Sequence, residues 1–103
     1  MKKLLLGLLS GTVALLAQPS AGEQLFKRYC WGCHHQTAEA FGPSFRTIAN
    51  SRTRGEVIAQ IADPDGTYGS LGYKRNSMPA FKDLNASELE ALTDYIFQFK
   101  DPE

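Results

Sequence analysis

The chain has 103 residues with 11 basic and 11 acidic side chains, so its formal net charge is zero. That length makes one domain the default. The balanced charge, without any basic block, speaks against a nucleic-acid binder.

Met1-Lys2-Lys3 opens the chain with positive charge. An apolar run from Leu4 to Ala17 follows, diluted by Gly7, Ser10, Gly11 and Thr12, and then come the small residues Ser20, Ala21 and Gly22. This order is that of a cleaved secretory signal, expected over residues 1–21. A cut after Ala21 would leave Pro19 where a small residue is preferred, so the cleavage point stays open, and an uncleaved anchor is the competing reading. The apolar run is shorter than the ~20 residues of a membrane span, and no cysteine stands there to carry a lipid. Losing Lys2 and Lys3 from the 11 basic residues leaves 9 against 11 acidic, a net of −2. The mature domain, residues 22–103, is expected to have no stable membrane span. It is small enough that side-chain burial alone supplies only a few kcal/mol, so a staple is expected.

Gly22 to Cys33 reads as the first helix, because Gly22, Phe26, Tyr29, Cys30 and Cys33 fall on one face. His35 to Gly42 is small, polar and aperiodic, a loop punctuated by Gly42-Pro43. Phe45, Ile48 and Ala49 suggest a short helix ending near Asn50. Thr53 and Glu56 form a capping-box pattern that opens a helix with Val57, Ile58, Ile61 and Ala62 inward, stopped by Asp63-Pro64. From Asp63 to Ala80, Pro64, Gly66, Gly69, Gly72 and Pro79 break any period. A stretch this long without structure is uncommon in a small domain unless it is functional. The last helix has Asn85 as N-cap, Glu88 three residues on, and Leu84 and Leu89 placed as a hydrophobic staple. Its buried stripe is Leu89, Leu92, Tyr95, Ile96 and Phe99. No strand alternation is visible, so the fold class is all-α.

Both cysteines and one of the two histidines stand within Cys30-Trp31-Gly32-Cys33-His34. The spacing C-x-x-C-H is that of c-type haem attachment. On a helical turn residues i and i+3 share a face, so the two thiols could reach the two vinyl groups of one porphyrin. His34 would then bring an imidazole under the iron. A redox dithiol normally has a βαβ context, which is missing here. A zinc site needs four ligands, and no second cysteine pair exists. A disulfide between Cys30 and Cys33 would close a tiny loop and constrain little of the unfolded chain; a covalently held haem is the better staple. Once the signal is removed, Met78 is the only methionine. A lone Met is usually packing, but its place in the Gly-rich loop beside Pro79 favours a role as axial ligand. His35 cannot reach the opposite face while His34 binds the near one, and is expected to be solvated or on the propionate side.

These motifs resemble those of the class I mono-haem cytochromes c, of the small soluble bacterial type, over Gly22 to about Lys100. The resemblance implies a small cytochrome c fold of three to four helices wrapped around one covalently attached haem. It also implies the Met78-Pro79 pair as distal ligand and a Pro43 carbonyl that accepts the second imidazole N–H of His34. It further implies a crossing of Gly22 and Phe26 against Leu92 and Tyr95. The expected site residues are thus Cys30, Cys33, His34, Met78 and Pro43 for the haem, with His34 and Met78 on iron and no catalytic residue. Tyr68, Tyr73, Arg46, Arg52, Arg54, Lys74 and Arg75 are candidates for the propionates or for a docking partner.

The function expected is one-electron transfer by a monomeric periplasmic carrier, not an enzyme. Its redox partners would be a periplasmic dehydrogenase or reductase on one side and an oxidase or another cytochrome on the other. The alternatives are a tightly bound cytochrome subunit of a larger dehydrogenase or reductase, and an open-site haem peroxidase or gas binder.

Overall fold

The computed structural model describes residues 19–103; the expected export segment lies almost wholly outside the described residues. The first helix, α1 (Ala21–Leu25), starts from Ser20, whose hydroxyl accepts the Glu23 N–H. That cap lies upstream of the expected Gly22 boundary. α1 runs directly into a π-helical turn, Phe26–Cys30, and the helix ends there rather than at Cys33. Beyond it Trp31 is extended and Gly32 has φ +102°, a conformation that costs little only for glycine. The Cys33 and His34 N–H groups both turn back onto the Cys30 carbonyl, at 3.3 and 3.0 Å. The motif is therefore a tight turn that follows a helix, not one helical turn.

Helix α2 (Phe45–Ser51) is capped by Ser44, which accepts from Thr47 N. Helix α3 (Arg54–Ala62) carries the capping box expected from Thr53 and Glu56, with both bonds made. Asp63-Pro64 ends α3 but also begins a further helix, α4 (Pro64–Thr67), with Asp63 capping Gly66 N and proline at its first position. Proline suits that place because its missing N–H would have had no partner there anyway. Helix α5 (Ala86–Phe97) has the Asn85–Glu88 capping box in full. The described residues thus hold five α-helices and one π-turn and no β-strand, all-α as expected, with one helix, α4, more than the sequence signals and one or two more than the resemblance implies.

The core sits where α1 crosses α5. A methyl group on Gly22 would overlap the Ala91 carbonyl oxygen and lie 2.6 Å from Tyr95 Cβ, so only a glycine lets the two backbones come this close. Phe26 is fully buried and meets the rings of Phe45, Tyr95 and Trp31 at 5.0, 5.6 and 5.6 Å, separations at which aromatic pairs add to plain burial. Leu92 and Ile96 complete the α5 stripe, and Thr93 is buried with them because its hydroxyl bonds the Leu89 carbonyl. Arg54 on α3 bridges Glu90 and Asp94 on α5, each at 2.8 Å. No helix among the described residues is long and apolar enough to cross a membrane.

Candidate cofactor site

The end of the π-turn, the Phe41–Pro43 loop, α2, α3 and the segment from Tyr68 to Phe81 enclose a cavity of about 440 Å³. That is within the size range of small-molecule and cofactor pockets. Cys30, Cys33, His34, Pro43 and Met78 all line it, with Val57, Ile61, Phe45, Ile48 and Ile96 among the apolar walls. All five expected site residues are therefore brought to one cavity.

On the near side, the His34 ring is fixed from three directions. Its Nδ1 lies 2.7 Å from the Pro43 carbonyl oxygen. A carbonyl only accepts, so Nδ1 donates here, and in the neutral ring Nε2 is then the nitrogen with the free lone pair. Phe45 packs on the ring at 5.8 Å. Gly42 lies so close that an added methyl group would be 2.6 Å from His34 Cε1 and 2.9 Å from Nδ1. The loop making these contacts is tied down by backbone bonds: Gly42 N–H donates to Cys33 O, Phe45 N–H to His35 O and Arg46 N–H to Gln36 O. Glu39 adds a clamp, accepting from Ser44 N at 2.8 Å and Thr47 Oγ1 at 2.6 Å. These bonds hold its carboxyl below the usual range, the Thr47 hydroxyl first and the Ser44 amide second.

Both cysteines are free thiols, Cys30 buried and Cys33 exposed. Burial, and then the neighbouring Cys33, pushes the Cys30 thiol up to about 12. A nucleophilic thiol needs a depressed pKa, so Cys30 is not placed to be one. The zinc reading loses support: among the described residues no three His, Cys, Asp or Glu side chains stand together to hold a metal ion.

On the far side Met78 is partly buried against the core. Asn76 grips its backbone at both ends, Oδ1 accepting the Met78 N–H at 3.1 Å and Nδ2 donating to the Met78 carbonyl at 2.9 Å. Asp65 Oδ1 accepts from the same Asn76 amide at 3.0 Å. Gln60 on α3 brings Nε2 to 3.8 Å from Met78 Sδ. Neither Asn76 nor Gln60 is signalled by the sequence; Gln60 is a polar residue beside the apolar stripe, and only its place between Val57 and Ile61 hints at an inward role.

Of the candidates for the rim, Arg52, Tyr68, Tyr73 and Arg75 reach the cavity wall. Arg52 also donates to the Leu71 carbonyl at 2.7 Å and stacks over Tyr73 at 5.5 Å. Arg46 and Arg54 are turned to other work, with Asp101 and with the α5 carboxylates, and Lys74 is not on the wall. His35 is partly buried rather than solvated, 5.5 Å from the Trp31 ring, and its Nδ1 has no protein partner among the described residues. The exposed Phe41, unremarked in the sequence, is also on the wall.

A small all-α domain folded around a mostly apolar cavity, with the C-x-x-C-H turn on its wall, has the build of a c-type cytochrome domain. Residues 17–96 match the family described as cytochrome C oxidase, cbb3-type, subunit III, and the chain belongs to that family. A search of curated proteins finds no match to the chain. The domain is a cytochrome c domain: it carries covalently bound haem c with its iron and works in electron transfer rather than catalysis.

Proposed function

We propose that the chain is an exported mono-haem cytochrome c that passes one electron at a time between redox proteins. In this reading Cys30 and Cys33 would hold the haem through thioether bonds, His34 and Met78 would ligate its iron, and the Pro43 carbonyl orients the His34 ring. The observation that carries it is the His34 Nδ1 bond to Pro43 at 2.7 Å, which occupies that nitrogen and leaves Nε2 as the one free to ligate, on a ring that lines the same cavity as Met78.

The residues present fit the group. A metal-binding imidazole needs one free lone pair and gains basicity and a fixed orientation when its other N–H is bonded. The Gly42 backbone lies against the ring where any larger residue would intrude, and the walls are largely apolar. Bound here, haem supplies the Fe(III)/Fe(II) couple, with a His/Met ligand set favouring a raised potential. The chain's own work is positional. Pro43, Phe45 and Gly42 hold the His34 ring, Asn76 holds Met78, and the apolar walls keep water out, so little has to move when the charge changes. The electron would pass at the edge near the exposed Cys33 and Trp31, through the small transient contacts typical of redox encounters.

The domain 22–103 is read as the mature protein and residues 1–21 as its export signal, which would deliver it to the periplasm where c-type haem is attached. The donor and acceptor would be a periplasmic dehydrogenase or reductase and an oxidase or another cytochrome. A second reading, a cytochrome held as a subunit of a larger redox enzyme, is favoured by the family description, which names an oxidase subunit. Co-purification with such an enzyme through salt and gel filtration would select it over the free carrier.

Optical spectroscopy of protein matured in an export-competent host tests the ligand set. A covalent c-type haem spectrum is expected and, in the ferric state, the weak long-wavelength band of a methionine–iron bond. Met78→Ala should abolish that band and His35→Ala should keep it. A wild type that lacks the band and binds carbon monoxide readily would sink the assignment.

A further inference from the structure

We propose that Gln60 donates a hydrogen bond to the sulfur of Met78 and by doing so raises the reduction potential of the site. The inference rests on the reading of Met78 as the distal ligand.

The orientation of the Gln60 amide follows from its neighbours. Its Nε2 lies 3.8 Å from Met78 Sδ, a reach suited to the large sulfur atom, and 3.5 Å from Asn76 Oδ1. Asn76 Oδ1 is an acceptor because it already takes the Met78 N–H, while Asn76 Nδ2 donates to Met78 O and to Asp65. A thioether sulfur likewise only accepts. Both neighbours of the Gln60 amide are therefore acceptors, and an amide turned the other way would set oxygen against oxygen and oxygen against sulfur. The NH₂ end must face Met78.

That orientation has a cost. Gln60 Oε1 is buried with no protein partner among the described residues, and a buried polar atom so placed calls for an explanation. Packing alone gives none, since a leucine would fill the same space between Val57 and Ile61 without an orphaned oxygen. The N–H···S contact supplies the explanation.

Its consequence is electrostatic. A thioether sulfur has two lone pairs, and one given to a metal leaves the other for a donor. An N–H on that second pair draws electron density from the sulfur and weakens its donation. The ferric state depends on that donation more than the ferrous state, so the bond favours Fe(II). Hydrogen bonds around a metal's ligands are among the protein's levers on potential. Because Gln60 stands on α3, the sulfur is also tied to a regular helix rather than only to the loop that carries it.

The test is potentiometry on holoprotein, paired with the ferric long-wavelength band. Gln60→Leu keeps the volume and removes the donor. It should retain the methionine band and lower the equilibrium constant for reduction against a fixed reference couple by about threefold to tenfold. Tenfold is about 59 mV for one electron. An unchanged potential with the band retained would overturn the role of Gln60 while leaving Met78 as ligand. A wild type without the band, or a Met78→Ala variant that keeps it, would remove the ligand reading and this inference with it. If Gln60→Leu yields no holoprotein, NMR of the reduced wild type decides. A through-space contact between the Gln60 side-chain amide protons and the Met78 methyl group is expected, and its absence counts against the proposal.

Discussion

The two walls of the cavity are built from different materials. The His34 side is held chiefly by main chain, packed rings and the Glu39 clamp, most of them from nearby sequence. The turn closes on the Cys30 carbonyl, three backbone bonds staple the following loop, and His34 meets Pro43, nine residues on, while lying against Phe45 and Gly42. The Met78 side has little backbone support between Tyr73 and Phe81. It hangs on side chains: Asn76 and Gln60 on Met78, Asp65 on Asn76, Arg52 on Leu71. Main-chain bonds and close packing resist single substitutions gradually, whereas a loop hung on a few polar side chains opens locally at low cost. The near wall should therefore fail together with the fold, and the far wall before it.

The sharpest way to break the near wall is Phe26→Ala. Phe26 is fully buried and touches three aromatic rings, so its loss should cost about 3–5 kcal/mol. Denaturant unfolding of the holoprotein followed by far-UV dichroism and by haem absorbance should show one shared, lowered midpoint. Separate midpoints would mean that the near wall is not continuous with the core. Gly42→Ala is the next in size. Its methyl group would press on a ring already pinned by Pro43 and Phe45, and overpacking of this kind costs about 1–3 kcal/mol. A changed proximal histidine signature in the NMR spectrum of the reduced protein is expected beside the loss of stability. Pro43→Ala is a weaker probe, because the carbonyl that binds His34 survives it.

Asn76→Ala addresses the far wall. It removes both bonds to Met78 and the one to Asp65, a loss of about 1–3 kcal/mol that should fall mainly on the loop. The ferric long-wavelength band should then disappear at a lower denaturant concentration than the helical dichroism, with a wider gap than in the wild type. Coincident loss of both signals would show that the far wall is as integral as the near one.

The near wall was also the more legible in sequence, and the reason is the same locality. Cys30, Cys33, His34 and Pro43 lie within fourteen residues; the C-x-x-C-H spacing marks the first three, and the resemblance built on it anticipates the short-range His34–Pro43 contact. The helices with polar caps, at Thr53–Glu56 and Asn85–Glu88, were legible because a cap is a bond between residues three apart. What spacing could not tell was the backbone path through the motif. An i, i+3 pair looks alike on a helix and on a tight turn, and only the positive φ of Gly32 separates them. Asp63-Pro64 was ambiguous for a similar reason, since the same pair can stop one helix and start another. On the far wall Met78 stood out as a lone methionine in a loop. Gln60 did not, because its meaning depends on a contact eighteen residues away that no local pattern records.

The smallest expected effect tests whether the near wall has any polar weak point, and it lies in pH. A side-chain clamp there is Glu39, whose carboxyl is held below its ordinary value of 4.5 by the Thr47 hydroxyl and the Ser44 amide. A carboxyl with a lowered folded pKa binds fewer protons when folded than when unfolded in the window between the two values. Stability therefore rises with pH through that window. The contribution is fully present above 4.5 and is lost as pH falls through the folded value. Glu39→Gln retains an acceptor but not the charge, so the urea midpoint of the wild type should exceed that of the variant at neutral pH. The difference should shrink as pH falls below 4.5. Because Glu39 is exposed to solvent, added salt should also reduce it. A difference that stays constant down to low pH would mean that the charge is idle and that the loop is held by its backbone bonds alone.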